Sequence, residues 1–411
     1  MIAPANERHP LSRESNRSDE ASPVHGRVAV FTEFGMCLTH GTGAQLLRLF
    51  DQPGIDFFHL YKDTLGFGPS TCTMAKSYSL EDIWPFQRGR VPSTKIRQLF
   101  SASWWDKDDQ VNPRFFRKLT AENQLTCDIA YMVVGSERDA KNALSVLRGL
   151  GSVSYIVHIM DIYEANGFDA ATTPAMKTLL EGATTVIALT ETIREEVEKF
   201  AVREIASIPI GQAVTHHVAT PRPAGTTARV VMVGKPYRGG SQLLEDSYDL
   251  LQKQAIDLEI IYLGNHIAQL PDKLRAVTNN VGQVNDPDLY TRKLAECHLA
   301  YLSGPSDADS YGRYSFPSRT SDYFMAGLPT VGCIAPDTAT ERTLTPLSPD
   351  AVRIVRTPEA LVDAFNYFLG SEQNWLHASQ RVRQFAEQEL AIDVVRQKVY
   401  SVINKALAKN S

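Results

Sequence analysis

The sequence has little cysteine, and what it has is scattered. Cys37, Cys72, Cys127, Cys297 and Cys333 form no C-x-x-C pair. Their odd number and wide spacing argue against a disulfide framework and against a cysteine zinc site, and they fit a reducing compartment. No run of about 18 apolar residues occurs, so no membrane-spanning helix is expected. The first residues lack the apolar core of a signal peptide, and a cytoplasmic location is expected. An excess of one charge is missing too. A net charge of −5 over 411 residues argues against a general nucleic-acid binder, although local basic clusters can still serve phosphate.

What remains is ordinary globular material. Hydrophobic residues make up 43% and charged residues 22%, enough to build buried cores under a charged surface. The length suggests two or three domains. Residues 1–25 are polar and mixed in charge, and read as a disordered tail.

From Arg27 onward short β-branched runs alternate with helical patterns. Strands are expected at Val28–Phe34, Ile55–Tyr61, Asp128–Gly135, Tyr155–Asp161, Thr185–Leu189 and Ile205–Ile210. Helices are expected at Gly43–Phe50, Glu137–Leu150, Thr172–Glu181 and Glu191–Phe200. Several strands are apolar nearly throughout, as strands buried on both faces are. Strand, helix, strand in repetition predicts a parallel sheet with helices on both faces. The rhythm pauses at His217 to Ala228, HVATPRPAGTTA, which reads as a linker. It restarts with strands at Val230–Gly234, Leu258–Leu263, Leu299–Ser303, Pro329–Ile334 and Val352–Val355. Residues 372–410 read as amphipathic helix. The fold class is therefore α/β, with two Rossmann-like parallel-sheet domains at residues 26–212 and 213–385. A C-terminal helix, residues 386–411, is expected to pack back on the first domain.

The stretch between Tyr61 and Asp128 does not follow the rhythm. It holds Trp84, Phe86, Trp104, Trp105, Phe115 and Phe116 together with Arg88, Arg90, Lys95 and Arg97. Such a mixture over residues 84–117 suits an acceptor loop, and it is also where the chain could touch a membrane surface or a lipid-linked ligand.

Ligands of open α/β sheets bind beyond the carboxyl ends of the strands, so the residues leaving those ends are the candidates. Gly41 and Gly43 follow the first strand and precede a helix, where backbone amides can approach a phosphate or sugar. Lys235 and Arg238 leave the first strand of the second half beside Gly239 and Gly240, a composition suited to a diphosphate clamp. In YSFPSRTSDYFMAGLPTVGC, residues 314–333, Pro317 opens a helix with Ser318 and Arg319 beside it. Asp322 falls one turn later, where it can accept ribose hydroxyls or simply favour the helix dipole.

The segment PSRTSDYFMAGLPTV resembles the P-S-K-x-x-E-Y-x-A-x-G-x-P-V-V signature of GT-B glycosyltransferases, especially family 4. VIALTETIREEV, residues 186–197, is similar to that family's "Ser-Glu" strand and helix. Pro209–Gly211 resembles its P-x-G turn, and Tyr262–Gly264 its second Gly-turn. The resemblance implies two domains facing across a cleft and a nucleotide-sugar donor as substrate, with no cofactor or metal required. It implies donor contacts from Gly41, Gly43, Lys235, Arg238, Ser318, Arg319 and Asp322. Arg313 is a further candidate for the donor phosphate. His158 resembles the family's cleft histidine, and Asp161 could position an acceptor hydroxyl, so these two are the catalytic candidates.

The implied activity is transfer of a sugar, with retention, to a hydroxyl of a glycan, polysaccharide precursor or lipid-linked sugar. The alternatives are a nucleotide-sugar epimerase of the same fold or a degenerate non-catalytic nucleotide-sugar binder. The family's Glu-x7-Glu pattern is here Tyr314 and Asp322, which is what keeps the binder in view. Asp307 and Asp309 formally match a metal-binding D-x-D, but in a serine-rich polar loop they read as solvated.

Overall fold

The computed structural model describes residues 22–37, 41–63, 69–80, 113–163, 167–304 and 310–409. The apolar runs become two parallel sheets. The first unit comprises β1 (Arg27–Thr32), α1 (Gly41–Phe50), β2 (Asp56–Tyr61), β3 (Ser77–Ser79), α2 (Pro113–Asn123), β4 (Ile129–Val134), α3 (Glu137–Leu150), β5 (Ser154–Ile159), α4 (Pro174–Gly182), β6 (Thr185–Ala188), α5 (Glu191–Val197) and β7 (Ile205–Ser207). The second comprises β8 (Ala228–Val233), α6 (Arg238–Lys253), β9 (Leu258–Leu263), α7 (Asp272–Ala276), β10 (Thr278–Asn280), α8 (Pro287–Ala295), β11 (Leu299–Ser303), α9 (Ser310–Tyr314), α10 (Ser318–Met325), β12 (Thr330–Cys333), α11 (Ala339–Leu344), β13 (Val352–Val355), α12 (Pro358–Leu369) and α13 (Glu372–Phe385). The last helix is α14 (Ile392–Ala408).

Strand order is β3-β2-β1-β4-β5-β6-β7 in one sheet and β10-β9-β8-β11-β12-β13 in the other. The chemistry of the strands dictates burial on both faces. β4, IAYMVV, is buried at every residue. Alternate residues of β1 enter different cores: Ala29 and Phe31 on one face, Val28 and Val30 on the other.

The chain passes between the units twice, and the two passages are bonded to each other. The Gln212 N–H donates to the Leu390 carbonyl at 2.7 Å, and the Ile392 N–H donates to the Gln212 carbonyl at 2.8 Å. Gly211 makes this approach possible, since a Cβ there would stand 2.6 Å from Ile392 Cδ1. The long helix expected over residues 372–410 is broken at this point. A π-helical turn, Ala386–Leu390, ends α13, and Ala391 turns extended (φ −62°, ψ 133°) before α14 starts. Beyond the break, Val395, Val399, Tyr400 and Ile403 are buried with Val28, Val30 and Tyr131 of the first sheet.

Three details differ from expectation. The tail expected over 1–25 ends early: Val24 is buried and its N–H donates to Gly54 at 2.8 Å. Residues 1–21 lie outside the described residues. The Pro-rich stretch 217–228 is no free linker, because Ala219 is buried in the second core and its N–H donates to Ala326 at 2.8 Å. In the stretch 84–117, Phe116 is a core residue that presses on Gly149, while residues 84–112 lie outside the described residues. Among the described residues no helix is long and apolar enough to cross a membrane.

Because α14 is held to the first sheet mainly by apolar burial, truncating its contact should be costly. Ile403→Ala is expected to lower stability by about 2–5 kcal/mol in urea unfolding. A loss below about 0.5 kcal/mol would show that α14 contributes little there.

Candidate active site

Strand order reverses beside the first strand of each sheet. β1 lies between β2 and β4, and β8 lies between β9 and β11. At such switch points the crossovers leave toward opposite faces and open a crevice at the carboxyl ends. The ends of β1, β4 and β8 all border one cavity of about 760 Å³, shared by both units.

The first-unit wall is acidic. Glu33 follows β1, Asp139 lies in the first turn of α3, and Asp161 follows β5. Glu33 is buried and accepts from the Asn142 side chain at 2.6 Å. Asp139 accepts from the Gly135 N–H at 2.9 Å, and Ser136 caps α3 by accepting from the Asp139 N–H. This reciprocal arrangement resembles a capping box and fixes the strand-to-helix turn. Burial pushes the Asp139 carboxyl up, against the hydrogen bonds from Gly135 and Ser136 and the charge of Arg138. Asp161 is pushed up to about 7 by burial, against a hydrogen bond from Ser315 of the opposite wall.

The second-unit wall has a different character. α6 and α10 start without a side-chain cap and without an acid in the first turn. By contrast α3, α5, α8, α11, α12 and α13 each have a Ser, Thr or Asp cap and a first-turn acid. Tyr237 at the start of α6 and Ser318 at the start of α10 both line the cavity, as do Gly41 and Thr42 of α1, which also lacks a first-turn acid. Three positive helix ends therefore face the same hollow, uncompensated by acidic side chains of their own first turns.

The sequence-derived candidates divide. Gly41, Ser318, Arg319, Asp322 and Asp161 line the cavity. Gly41 sits against the opposite unit, where a Cβ would be 3.2 Å from Ser318 Oγ. Gly43 is buried inside α1 and does not line it. Lys235 and Arg238 are exposed and flank the lining residues Gly234 and Tyr237 without lining the cavity themselves. Arg319 is largely spent on shape. Its guanidinium donates to the carbonyls of Val233 at 3.1 Å, Lys235 at 3.2 Å and Ser303 at 2.9 Å, tying the ends of β8 and β11 together. Asp322 accepts from the Gln212 side chain and from the Tyr290 hydroxyl, the latter at 2.8 Å. Burial pushes its carboxyl up, and the charge of Arg48 opposes this.

His158 is not brought to the site. Its β5 position turns it into the core, where Nδ1 lies 2.7 Å from the Tyr131 hydroxyl. Burial lowers the imidazole to about 3, so it is neutral. The lining residue nearest it in sequence is Met160. Arg313 is exposed beside the Tyr314 ring, with its guanidinium carbon 5.4 Å from the ring centroid, and does not line the cavity. Asp307 and Asp309 lie outside the described residues.

Tyr314, the departure from the family pattern, crosses between the units. It is buried in the first core, and its hydroxyl donates to Glu196 Oε2 at 3.2 Å. Gly167 leaves room for this pair, since a Cβ there would stand 2.5 Å from both Glu196 Oε1 and the tyrosine oxygen. Arg342 reaches Glu195 at 2.7 Å on the same side. Sequence reasoning missed Glu33 and Asp139. The signals were an acid just beyond the apolar run Val28–Phe31, and Ser136 with Asp139 at capping-box spacing.

No model of a known protein family matches the chain, and no curated protein matches it. Solved structures do. The chain is similar in fold to HepE of Anabaena, solved in complex with UDP and glucose, at 12% identity and TM-score 0.61, over 93% of this chain and 100% of that one. It is similar to sucrose-phosphate synthase from Thermosynechococcus elongatus at 13% identity and TM-score 0.63, over 93% of this chain and 99% of that one. A glycosyltransferase from Rickettsia africae gives 10% identity and TM-score 0.64, over 94% of this chain and 99% of that one. At these identities the likeness is one of fold: the chain has the two-sheet, cleft-forming GT-B architecture.

Proposed function

We propose that the protein is a glycosyltransferase that moves a sugar from a nucleotide-sugar donor to a hydroxyl acceptor in the cleft. The observation that carries this reading is the opposition of the two walls. The second-unit wall offers uncapped, acid-free helix starts and Ser318 to a diphosphate. The first-unit wall offers Glu33, Asp139 and Asp161, groups that suit hydroxyl donors and repel a second anion. The similar-fold protein HepE is solved with UDP-glucose as well as with UDP, which supports a donor of this class.

In this reading the nucleoside lies toward Asp322, and the diphosphate lies against the starts of α6 and α10. Lys235 and Arg238, exposed at the cavity's edge, close over it. Charge developing on the leaving phosphate is stabilised by donors already in place, which is how fixed dipoles lower a barrier. No metal is placed in this donor site, because the helix ends and the two cations offset the phosphate charge. Asp161 holds the acceptor hydroxyl. Retention is what the resemblance to family 4 implies, and it lets the departing phosphate take the acceptor proton. The acceptor is then a glycan, a polysaccharide precursor or a lipid-linked sugar, presented at the cytoplasmic face of a membrane if it is lipid-linked.

The reading is tested by incubating the chain with UDP-, GDP- and ADP-sugars and measuring nucleotide release with and without a hydroxyl acceptor. A transferase gives release that depends on acceptor, whereas melting protection with no release would make it a binder. Lys235→Ala should weaken donor binding about tenfold by calorimetry and Ser318→Ala several-fold, as loss of a charged and a neutral hydrogen bond would. Unchanged affinity in both would remove the diphosphate from this wall.

Asp161 also sets a pH dependence. Below about 7 its carboxyl is protonated, and above it the ionised form accepts the acceptor hydroxyl. The rate should therefore rise with pH through that value and level off. In Asp161→Asn that limb should vanish. An unchanged pH profile in the variant would take Asp161 out of the reaction.

A further inference from the structure

Away from the cleft, three side chains with metal-ligand chemistry converge where the chain leaves the Gln212 crossing. His216 and His217 adjoin in sequence, and their rings lie side by side with centroids 4.1 Å apart. Thr215 fixes the turn: its hydroxyl accepts from the His217 N–H at 3.0 Å, and its carbonyl accepts from Arg383 at 3.0 Å. Asp288, 71 residues beyond His217, lies in the first turn of α8 and brings Oδ1 to 2.8 Å from His217 Nε2. One ligand atom from each of the three residues lies within 4.8 Å of the other two. The other Asp288 oxygen is held by Arg292 Nε at 2.9 Å.

We propose that His216, His217 and Asp288 bind a transition-metal ion of the zinc type, at a site separate from the cleft. Two imidazoles and one carboxylate are the donors that zinc, cobalt(II) and nickel(II) take, whereas magnesium and calcium prefer oxygen throughout. With bonds of about 2.1 Å, ligand atoms of a tetrahedral ion stand about 3.4 Å apart. One pair stands at 2.8 Å and all three atoms lie within 4.8 Å of one another, so modest side-chain rotation closes the shell around an ion that replaces the proton shared by His217 and Asp288. His216 and Asp288 are exposed, which leaves room for water as the fourth ligand. Arg292 orients the carboxylate from behind, as outer partners of metal ligands do.

Such an ion would pin the crossing segment to α8. Both already meet at Asp322 on the cavity wall, through Gln212 from one side and through Tyr290 from the other. Metal binding would thus stiffen one side of the cleft from outside it, whatever the cleft binds.

The test is titration of the chelator-stripped full chain with cobalt(II). One equivalent should bind and give visible d–d bands, without the sulfur-to-cobalt charge transfer that the five free cysteines would produce. His216→Ala, His217→Ala and Asp288→Ala should each weaken binding at least about tenfold, and Arg292→Ala about tenfold. Circular dichroism should be unchanged in all four, since these side chains are not in a core. Zinc should raise the melting temperature of the parent chain and not that of His217→Ala. Parent-like cobalt affinity in His217→Ala and Asp288→Ala, a thiolate spectrum, or no binding by the parent chain would overturn the site.

Discussion

The paired backbone hydrogen bonds between Gln212 and residues Leu390 and Ile392 hold two chain passages side by side, and the cleft depends on them. Each sheet alone has only an open crevice at its switch point. With both passages fastened at one place, and α14 buried on the first sheet, the carboxyl ends of the two sheets are made to face one another. Gly211 is the residue that lets the passages touch. On the other side of the cavity Tyr314 enters the first core and bonds Glu196, so the units are joined at two places rather than through one flexible strip. A tyrosine there can fill a core and still satisfy its hydroxyl, which a glutamate could do only at the cost of burying a charge.

That geometry sets an electrostatic contrast across a short distance. Helix starts without first-turn acids face Glu33, Asp139 and Asp161 of the first unit, and Asp322 of α10 adds a carboxyl on their own side. Burial raises the carboxyls of Asp139, Asp161 and Asp322, because each is withdrawn from water with less compensation than a full ion pair would provide. In the proposed function the anion lies on one side of this contrast and the hydroxyls on the other.

Much of the fold was legible in the sequence. Strands buried on both faces show as continuous apolar runs, and β4 and β11 were readable for that reason. That Gly41, Ser318 and Asp322 border the cavity was legible because a helix that starts just after a strand puts its first turns at the carboxyl end of the sheet. His158 stops short of the cavity because it lies inside β5, before the turn that carries Met160 and Asp161, and its neighbours Val157 and Ile159 are core residues as well. Lys235 lies on the loop after β8, whereas Arg238 is already the first residue of α6, and neither lines the cavity, since the reach of a long side chain is not a sequence property. The break at Ala391 was invisible, as no proline or glycine marks it and tertiary bonds at Gln212 impose it. The His216, His217 and Asp288 cluster was equally hidden, because its third member comes from a distant segment.

The most direct measurement is hydrogen exchange on the chain with and without a saturating nucleotide sugar. The account predicts added protection at the amides of Gly41 and Thr42 in α1 and of Ser318 to Asp322 in α10, two segments of different units that line one cavity. Protection confined to one unit, or centred on a surface remote from these helix starts, would contradict it.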